Sequence, residues 1–415
     1  MNITIVIAIA VAVFLSTILI MVGLLLYAKT KLMPGGSVRL RINGEEELTV
    51  EPGSSILHTL SNHKIFLPSA CGGGGTCGLC KCRVISGGGT ILPTETGFFS
   101  RKEQQHQWRL GCQVKVKEDM EISIPEEVLG VKKWECEVVS NRNVATYIKE
   151  FVVKLPPGET LTFRSGGYIQ IDVPKCEVNY KNEIDVEPEY REDWDKMKIW
   201  DLYMKNSEPT FRAYSMANHP AEGNMVMLNI RIATPPWDRA RGGFMKVNPG
   251  VCSSYIFSRK AGDKVTLSGP YGEFFLRDTQ NEMLFIGGGA GMAPMRSHIF
   301  HLFHTLKSSR KVSFWYGARS KREIFYEEEF RAIEREFSNF TFHIALSEPL
   351  PADNWIGPVC FIHQLIHDKY LQHHDAPEDI EYYLCGPPLM TNAVTAMLDN
   401  LGVPAENVLF DDFGS

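Results

Sequence analysis

The chain has 415 residues, a formal net charge of -6, 44% apolar and 22% charged residues. That length allows roughly two to four domains, and the ordinary composition allows packed cores. The acidic balance, without a long basic block, argues against nucleic acid as the main partner, and no solenoid-type repeat is visible.

From Ile3 to Tyr27 the sequence carries no charged residue. About 25 helical residues at ~1.5 Å each reach ~37 Å, enough to cross a ~30 Å hydrocarbon core with tilt. A transmembrane helix over 3–27 is therefore expected. The rival, a cleaved signal peptide, would carry a basic start and a shorter apolar run. Lys29, Lys31, Arg39 and Arg41 come next, which by the positive-inside rule puts the remaining chain in the cytoplasm. Residues 28–36, with Met33-Pro34-Gly35-Gly36, read as a linker.

A first domain is expected over 37–125. Alternation in Val38-Arg39-Leu40-Arg41-Ile42, the turn Asn43-Gly44 and Leu48-Thr49-Val50 give a hairpin. A short helix opens at Ile56, and Trp108 to Val114 reads as a strand. Between them lies Cys71-Gly-Gly-Gly-Gly-Thr-Cys77-Gly-Leu-Cys80-Lys-Cys82. The ten cysteines stand at 71, 77, 80, 82, 112, 136, 176, 252, 360 and 385. Such lopsided spacing fits one clustered metal site in a reducing compartment better than a disulfide framework. Cys71, Cys77, Cys80 and the distant Cys112 give a spacing one residue longer than the plant-type pattern for a 2Fe-2S cluster, held two thiolates to each iron. The glycines let backbone wrap closely round inorganic sulfide. Zinc is the rival, but its structural sites combine two short paired motifs, and Cys112 has no such partner. Cys82 is a spare: a packed thiol, or a ligand if Cys80 is not one.

Residues 126–276 read as an antiparallel barrel, with strands near Trp134–Val139, Ile148–Lys154, Tyr168–Val173, Met225–Ile232 and Lys264–Leu267. An acidic insertion over 177–208 interrupts it, with ten acidic and five basic residues and Trp194, Trp200 and Tyr203. It is either a solvated excursion or a docking surface. From 277 to 415 strand and helix alternate, with strands near Leu284–Gly287, Lys311–Tyr316, Thr341–Leu346 and Tyr382–Leu384, which points to a parallel sheet covered by helices. The expected fold class is multidomain: a transmembrane helix, an α+β domain, an antiparallel β-barrel and an α/β parallel-sheet domain.

The cysteine loop resembles 2Fe-2S ferredoxins of adrenodoxin-like spacing, and the residues after it resemble the ferredoxin-NADP reductase superfamily. Anchor, ferredoxin, flavin barrel and nicotinamide domain, in that order, resemble the F-subunit family of the sodium-translocating NADH:quinone reductases over nearly the whole chain. The resemblance implies a role for each remaining motif. Arg212-Ala213-Tyr214-Ser215 matches R-x-Y-S, with arginine donors for the FAD pyrophosphate, an aromatic face for the ring and a hydroxyl near N5. Gly250, Ser253 and Ser254 resemble G-x-x-S, with serine capping a helix start that takes phosphate. Gly287, Gly288, Gly289, Gly291 and Pro294 form the nicotinamide loop between strand and helix, with proline in the first turn. Cys385, Gly386 and Pro387 resemble C-G-P-P, where the thiol orients the nicotinamide. Phe413 is the aromatic expected to cover the flavin face.

The function implied is electron input. NADH gives a hydride to FAD, and single electrons pass through the 2Fe-2S cluster to other membrane subunits of the same reductase, with ubiquinone as final acceptor. The location implied is the bacterial inner membrane. Two other readings stand beside it: a reductase component of an oxygenase system, and a membrane-tethered iron–sulfur carrier without nicotinamide chemistry. Arg319 and Ser320 could hold the 2′-phosphate of NADPH or be residues of a turn. His298, His301 and His304, like His363 and His367, lack the nearby acid of a metalloprotease pattern and read as surface or packed residues.

Overall fold

The computed structural model describes residues 3–32, 36–240 and 242–411. The chain divides into two units: Met1–Ser69 with Gly73–Gly130, and Ala70–Gly72 with Val131–Ser415.

The first unit opens with a helix over Ile3–Leu32, which runs past the expected end at Tyr27. Its described side chains, among them Ile7, Phe14 and Leu19, are exposed. They run unbroken only over 9–24. The expected segment is a helix, and among the described residues no helix is long and apolar enough to cross a membrane.

The rest of this unit is a five-stranded sheet in the order β2-β1-β5-β3-β4, with β1 Val38–Ile42, β2 Glu46–Val50, β3 Lys81–Ser86, β4 Trp108–Leu110 and β5 Met120–Ser123. Val38, Leu40 and Ile42 alternate inward on β1 as the sequence pattern requires. The turn between β1 and β2 uses Asn43 at φ 52° and Gly44 at 75°, both left-handed. Ser55 caps the helix Ile56–Asn62 by accepting the His58 N–H.

β4 stops at Leu110, short of the expected Val114. The chain turns there, since the Gln113 and Val114 N–H groups donate to the Leu110 carbonyl at 2.9 and 3.2 Å. Glu95 is fully buried and accepts the Leu110 N–H at 2.8 Å. It also accepts the Leu92 N–H at 3.0 Å and two guanidinium nitrogens of Arg109, the shorter at 2.7 Å. Arg109 Nη1 donates to the Gly88 and Gly89 carbonyls at 3.0 and 3.2 Å. Every polar group of the pair is matched, and the loop before Glu95 is stitched to β4.

The second unit begins with a six-stranded antiparallel sheet in the order β11-β8-β15-β6-β7-β12. Its strands are β6 Lys132–Ala145, β7 Ile148–Lys154, β8 Tyr168–Val173, β11 Thr210–Ser215, β12 Met225–Arg231 and β15 Lys264–Tyr271. A bridge between Met216 and Leu228 joins the two outer strands, so the sheet closes as a barrel. Phe151, Val153, Ile169, Ile171, Leu228 and Leu267 fill its interior.

The insertion is folded, which overturns its reading as a solvated excursion. Two strands, β9 Cys176–Asn179 and β10 Tyr203–Asn206, pair as a ribbon. Trp194 between them is fully buried, packs against Trp200 at 5.0 Å and Phe257 at 6.2 Å, and donates its indole N–H to the Thr146 carbonyl at 2.7 Å. Charge density along the sequence hid an aromatic core. A short hairpin, β13 Trp237–Asp238 and β14 Gly243–Phe244, comes after the barrel strand β12.

The last part is a five-stranded, all-parallel sheet in the order β18-β17-β16-β19-β20. Its strands are β16 Met283–Gly288, β17 Val312–Ala318, β18 Phe340–Leu346, β19 Glu381–Cys385 and β20 Val408–Phe410. β16 and β19 are buried along their whole length, as central strands of a doubly covered sheet must be. Arg296, nearly buried, reaches from this part to Glu222 and is also paired with Glu329, each at 2.8 Å. Burial pushes the neighbouring His298 imidazole down to about 3, so it stays neutral between Phe274 and Phe285.

Candidate functional site

Four separated segments of the second unit meet around one cavity of about 750 Å³. They are Arg212–Ser215 on β11, Gly250–Ser253 at a helix start, Gly288–Gly291 after β16, and Gly386–Pro388 after β19. Two, those following β16 and β19, lie at the carboxyl ends of parallel strands, the position at which open α/β sheets bind ligands. The volume suits a cofactor-sized guest.

On β11 the register is Arg212 opposite Ile171 and Tyr214 opposite Ile169. Arg212 is partly exposed to the cavity, and its Nη1 is held by the Phe211 carbonyl at 2.7 Å and by Thr210 Oγ1 at 3.1 Å. Burial pushes the Tyr214 phenol well up, and Cys252 beside it, whose thiol donates to the Ile171 carbonyl at 4.0 Å, is pushed up to about 12 by burial. Tyr214 lines the cavity. Ser215 is nearly buried and donates its hydroxyl to Asp411 Oδ2 at 2.5 Å. Asp411 itself is placed by its N–H, which bonds the Leu384 carbonyl at 3.1 Å.

Ser253 does not cap its helix. Gly250 occupies the cap position, without a side-chain bond. Ser253 Oγ instead accepts the Ala233 N–H and donates to the Gly250 carbonyl, both at 3.1 Å. Ser254 Oγ donates to the same carbonyl at 2.6 Å and meets the Tyr180 hydroxyl at 2.7 Å. The serines therefore fix the shape of this wall rather than its helix end.

Gly289 turns at φ +56°, and a Cβ there would meet nothing nearer than Ile148 at 3.8 Å, so its backbone is open to a guest. Gly291 serves the opposite purpose: a Cβ would stand 2.1 Å from the Cys385 carbonyl oxygen. Its bareness lets the loops after β16 and β19 touch. Gly287 lies inside β16, and Pro294 sits buried in the helix Met292–Phe300. Cys385 is fully buried in the core beneath the sheet, and the cavity wall begins at the next residue, Gly386. Phe413 lies outside the described residues. Arg, aromatic, hydroxyl and open glycine backbone around such a volume are the donor set that a flavin and a dinucleotide require.

In the cysteine loop Gly73 and Gly75 take φ +90° and +76°, as a tight wrap needs. Cys77, Cys80 and Cys112 belong to the first unit, and Cys71 is grouped with the second. Cys80 is buried, and its thiol is pushed up first by a hydrogen bond with Cys112, then by burial, with the Cys77 charge adding to it. Gln113 Nε2 donates to Cys112 Sγ at 3.5 Å. Among the described residues, no three His, Cys, Asp or Glu gather to hold a metal ion. Cys80 and Cys112 together would supply two of the four thiolates that a 2Fe-2S cluster takes. Cys82 points into the core beside Glu95 and Arg109, and burial pushes it up to about 12.

The sequence motifs did not point to Asp411, whose only signal was its place two residues before Phe413.

Family profiles match in three blocks: a 2Fe-2S iron-sulfur cluster binding domain over residues 40–117, an oxidoreductase FAD-binding domain over 199–276 and an oxidoreductase NAD-binding domain over 285–396. The chain is 54% identical over 408 residues to the F subunit of the Na(+)-translocating NADH-quinone reductase of Neisseria meningitidis, covering 98% of this chain and 99% of the relative. It is 54% identical over 405 residues to the protein of the same name from Pseudomonas aeruginosa, covering 98% of each. Among solved structures, the Amycolatopsis cytochrome P450 reductase GcoB aligns at a TM-score of 0.62 with 22% identity, over 91% of this chain and 98% of that one. A ferredoxin reductase in carbazole 1,9a-dioxygenase aligns at 0.57 with 24% identity, over 91% and 98%. These two share the fold.

Proposed function

This chain belongs to the F-subunit family of the Na(+)-translocating NADH-quinone reductases, and from that premise we propose how its residues take electrons in. The chain is an oxidoreductase subunit that receives electrons from NADH, with FAD and a 2Fe-2S cluster as its cofactors and the other subunits of the same complex as its partners. When bound, FAD would supply hydride acceptance from NADH and one-electron release, and the cluster one-electron carriage. The oxygenase-reductase reading keeps only a shared fold in its support.

The observation that carries the site assignment is the meeting of four motif segments around one cavity. Arg212 supplies fixed positive charge and a planar set of donors for a diphosphate. Tyr214 offers a ring face to the cavity. Ser215 is oriented by Asp411, which accepts its hydrogen bond. Gly289 and its neighbours lend backbone N–H groups to the second diphosphate, and Gly386–Pro388 shape the wall against which the nicotinamide rests. Cys385, from within the core, positions that wall. Phe413 covers the flavin face. Cys71, Cys77, Cys80 and Cys112 hold the cluster.

Anaerobic addition of NADH to the purified, flavin-loaded chain is expected to bleach its flavin absorption. Ser215→Ala should slow that bleaching about tenfold, the worth of one well-placed hydrogen bond, and leave flavin content unchanged. A variant as fast as the parent would remove Ser215 from the reaction.

The Ile3–Tyr27 stretch anchors the chain at a membrane, and Lys29 and Lys31 keep the rest of the polypeptide on the cytoplasmic side; the support is the stretch's freedom from charge. The whole chain should stay with membranes through an alkaline carbonate wash, while a chain starting at Gly36 should not. Release of both forms would leave no anchor. Onward transfer within the complex, with ubiquinone as final acceptor, completes the reading.

A further inference from the structure

The wall of the cavity extends to Arg319, the first residue after β17. In an open parallel sheet a dinucleotide lies across the carboxyl ends of the strands. A side chain beyond the neighbouring strand there distinguishes a ribose 2′-hydroxyl, which an acid accepts, from a 2′-phosphate, which an arginine accommodates. Taken alone, Arg319-Ser320 has the composition of a phosphate site.

The structure gives that arginine another partner. β18 lies beside β17, and the chain leaving it runs back along the same loop. Ser347 N–H donates to the Ala318 carbonyl at 3.0 Å, and Glu348 N–H donates to the Arg319 carbonyl at 2.8 Å. These two backbone bonds hold the Glu348 carboxylate against the guanidinium, whose Nη2 and Nε donate to Oε2 at 3.2 and 3.4 Å. The rest of the loop is treated alike. The Lys321 N–H, a potential phosphate donor, bonds Asp353 Oδ2 at 3.0 Å, and Arg322 is paired with Asp193. Three carboxylates therefore meet a loop that would otherwise receive a phosphate.

Stability does not explain the first of these pairs. The Arg319 and Glu348 side chains are 70% and 69% exposed, and ion pairs so open to water contribute little to folding. Their effect falls on what approaches the loop.

We infer that Glu348 determines nucleotide choice: it cancels Arg319 and makes the surroundings of the adenosine 2′ position acidic. NADH, with a free 2′-hydroxyl, is accepted, and its 2′-phosphorylated counterpart is refused. The inference rests on reading the cavity as the NADH site.

The test is the ratio of kcat/KM for NADPH to that for NADH, measured on the flavin-loaded full chain. Removing one charge near a phosphate of charge about -2 is worth roughly tenfold at solvent-exposed distances. Glu348→Gln should raise the ratio by about that factor, and adding Arg319→Ala should bring it back down. A ratio unchanged in Glu348→Gln, with wild-type flavin reduced normally by NADH, overturns this assignment alone. A rise that survives Arg319→Ala overturns the role given to Arg319. Wild-type flavin that NADH fails to reduce overturns both the cavity reading and the assignment. Both residues lie on the surface, so neither variant threatens the fold.

Discussion

A chain carrying Cys80→Ala is expected to be recovered with almost no iron or acid-labile sulfide, while NADH still bleaches its flavin. Cys80 stands just before β3, nearly sealed from solvent, with its thiol bonded to Cys112. The same junction is clipped by the backbone, since Gly111 N–H donates to the Cys80 carbonyl at 2.7 Å. The two sulfurs are therefore held together by main chain on both sides, which is how a rigid half of a four-thiolate cage is built. Alanine keeps the backbone clip and loses only the sulfur, so the unit still folds. Cys82→Ala is the contrast. Its thiol is raised by burial first, whereas that of Cys80 is raised first by its sulfur partner. Iron retained in Cys80→Ala, or lost in Cys82→Ala, would sink the proposed ligand set.

The second large effect concerns Glu95 and Arg109. Arg109→Leu is expected to destabilise the first unit by about 3–5 kcal/mol, because it strands an ionised carboxylate in the core. Glu95 is fully buried, and the Arg109 side chain is 5% exposed, so water cannot replace the lost partner. Natural domains hold only about 5–15 kcal/mol in all, so a loss of that size brings unfolding near ordinary temperatures. Chemical denaturation of the full chain, followed by cluster absorption, measures it. The double variant Glu95→Leu/Arg109→Leu removes both charges and should recover a large part of the loss. A single variant within about 1 kcal/mol of wild type would mean that the carboxylate finds solvent or a proton, and the argument from burial would fail.

Where the sequence carried a period, the fold was legible. Val38 to Ile42, Ile148 to Lys154 and Tyr168 to Val173 alternate or run apolar, and each is a strand with nearly the bounds expected. The glycine clusters announced turns beside the cavity for the same local reason: φ and the space for a Cβ are properties of single residues. What stayed hidden depended on distant partners. Nothing near Glu95 says that it will meet Arg109. Ten acids in the insertion pointed to solvent, yet Trp194 needed only one face of the barrel to become core. Ser253 was read as a helix cap because serine favours that place, but the true cap is Gly250 and the hydroxyl serves Ala233. Asp411 reaches Ser215 across 196 positions of sequence, and no local pattern encodes that reach.

The walls of the cavity come from residues as far apart as Ala70 and Pro388. No shorter stretch of chain can make it, so its shape exists only once barrel and parallel sheet are both complete. A guest that recognises the finished cavity and nothing earlier draws the folding equilibrium toward the finished state by mass action, with a pull that grows as RT ln(1 + [L]/Kd). Vitamin supply and protein quality control are thereby linked: in a cell short of flavin, more of this polypeptide sits open to proteases, and the abundance of the electron-input step falls with the nutrient it depends on.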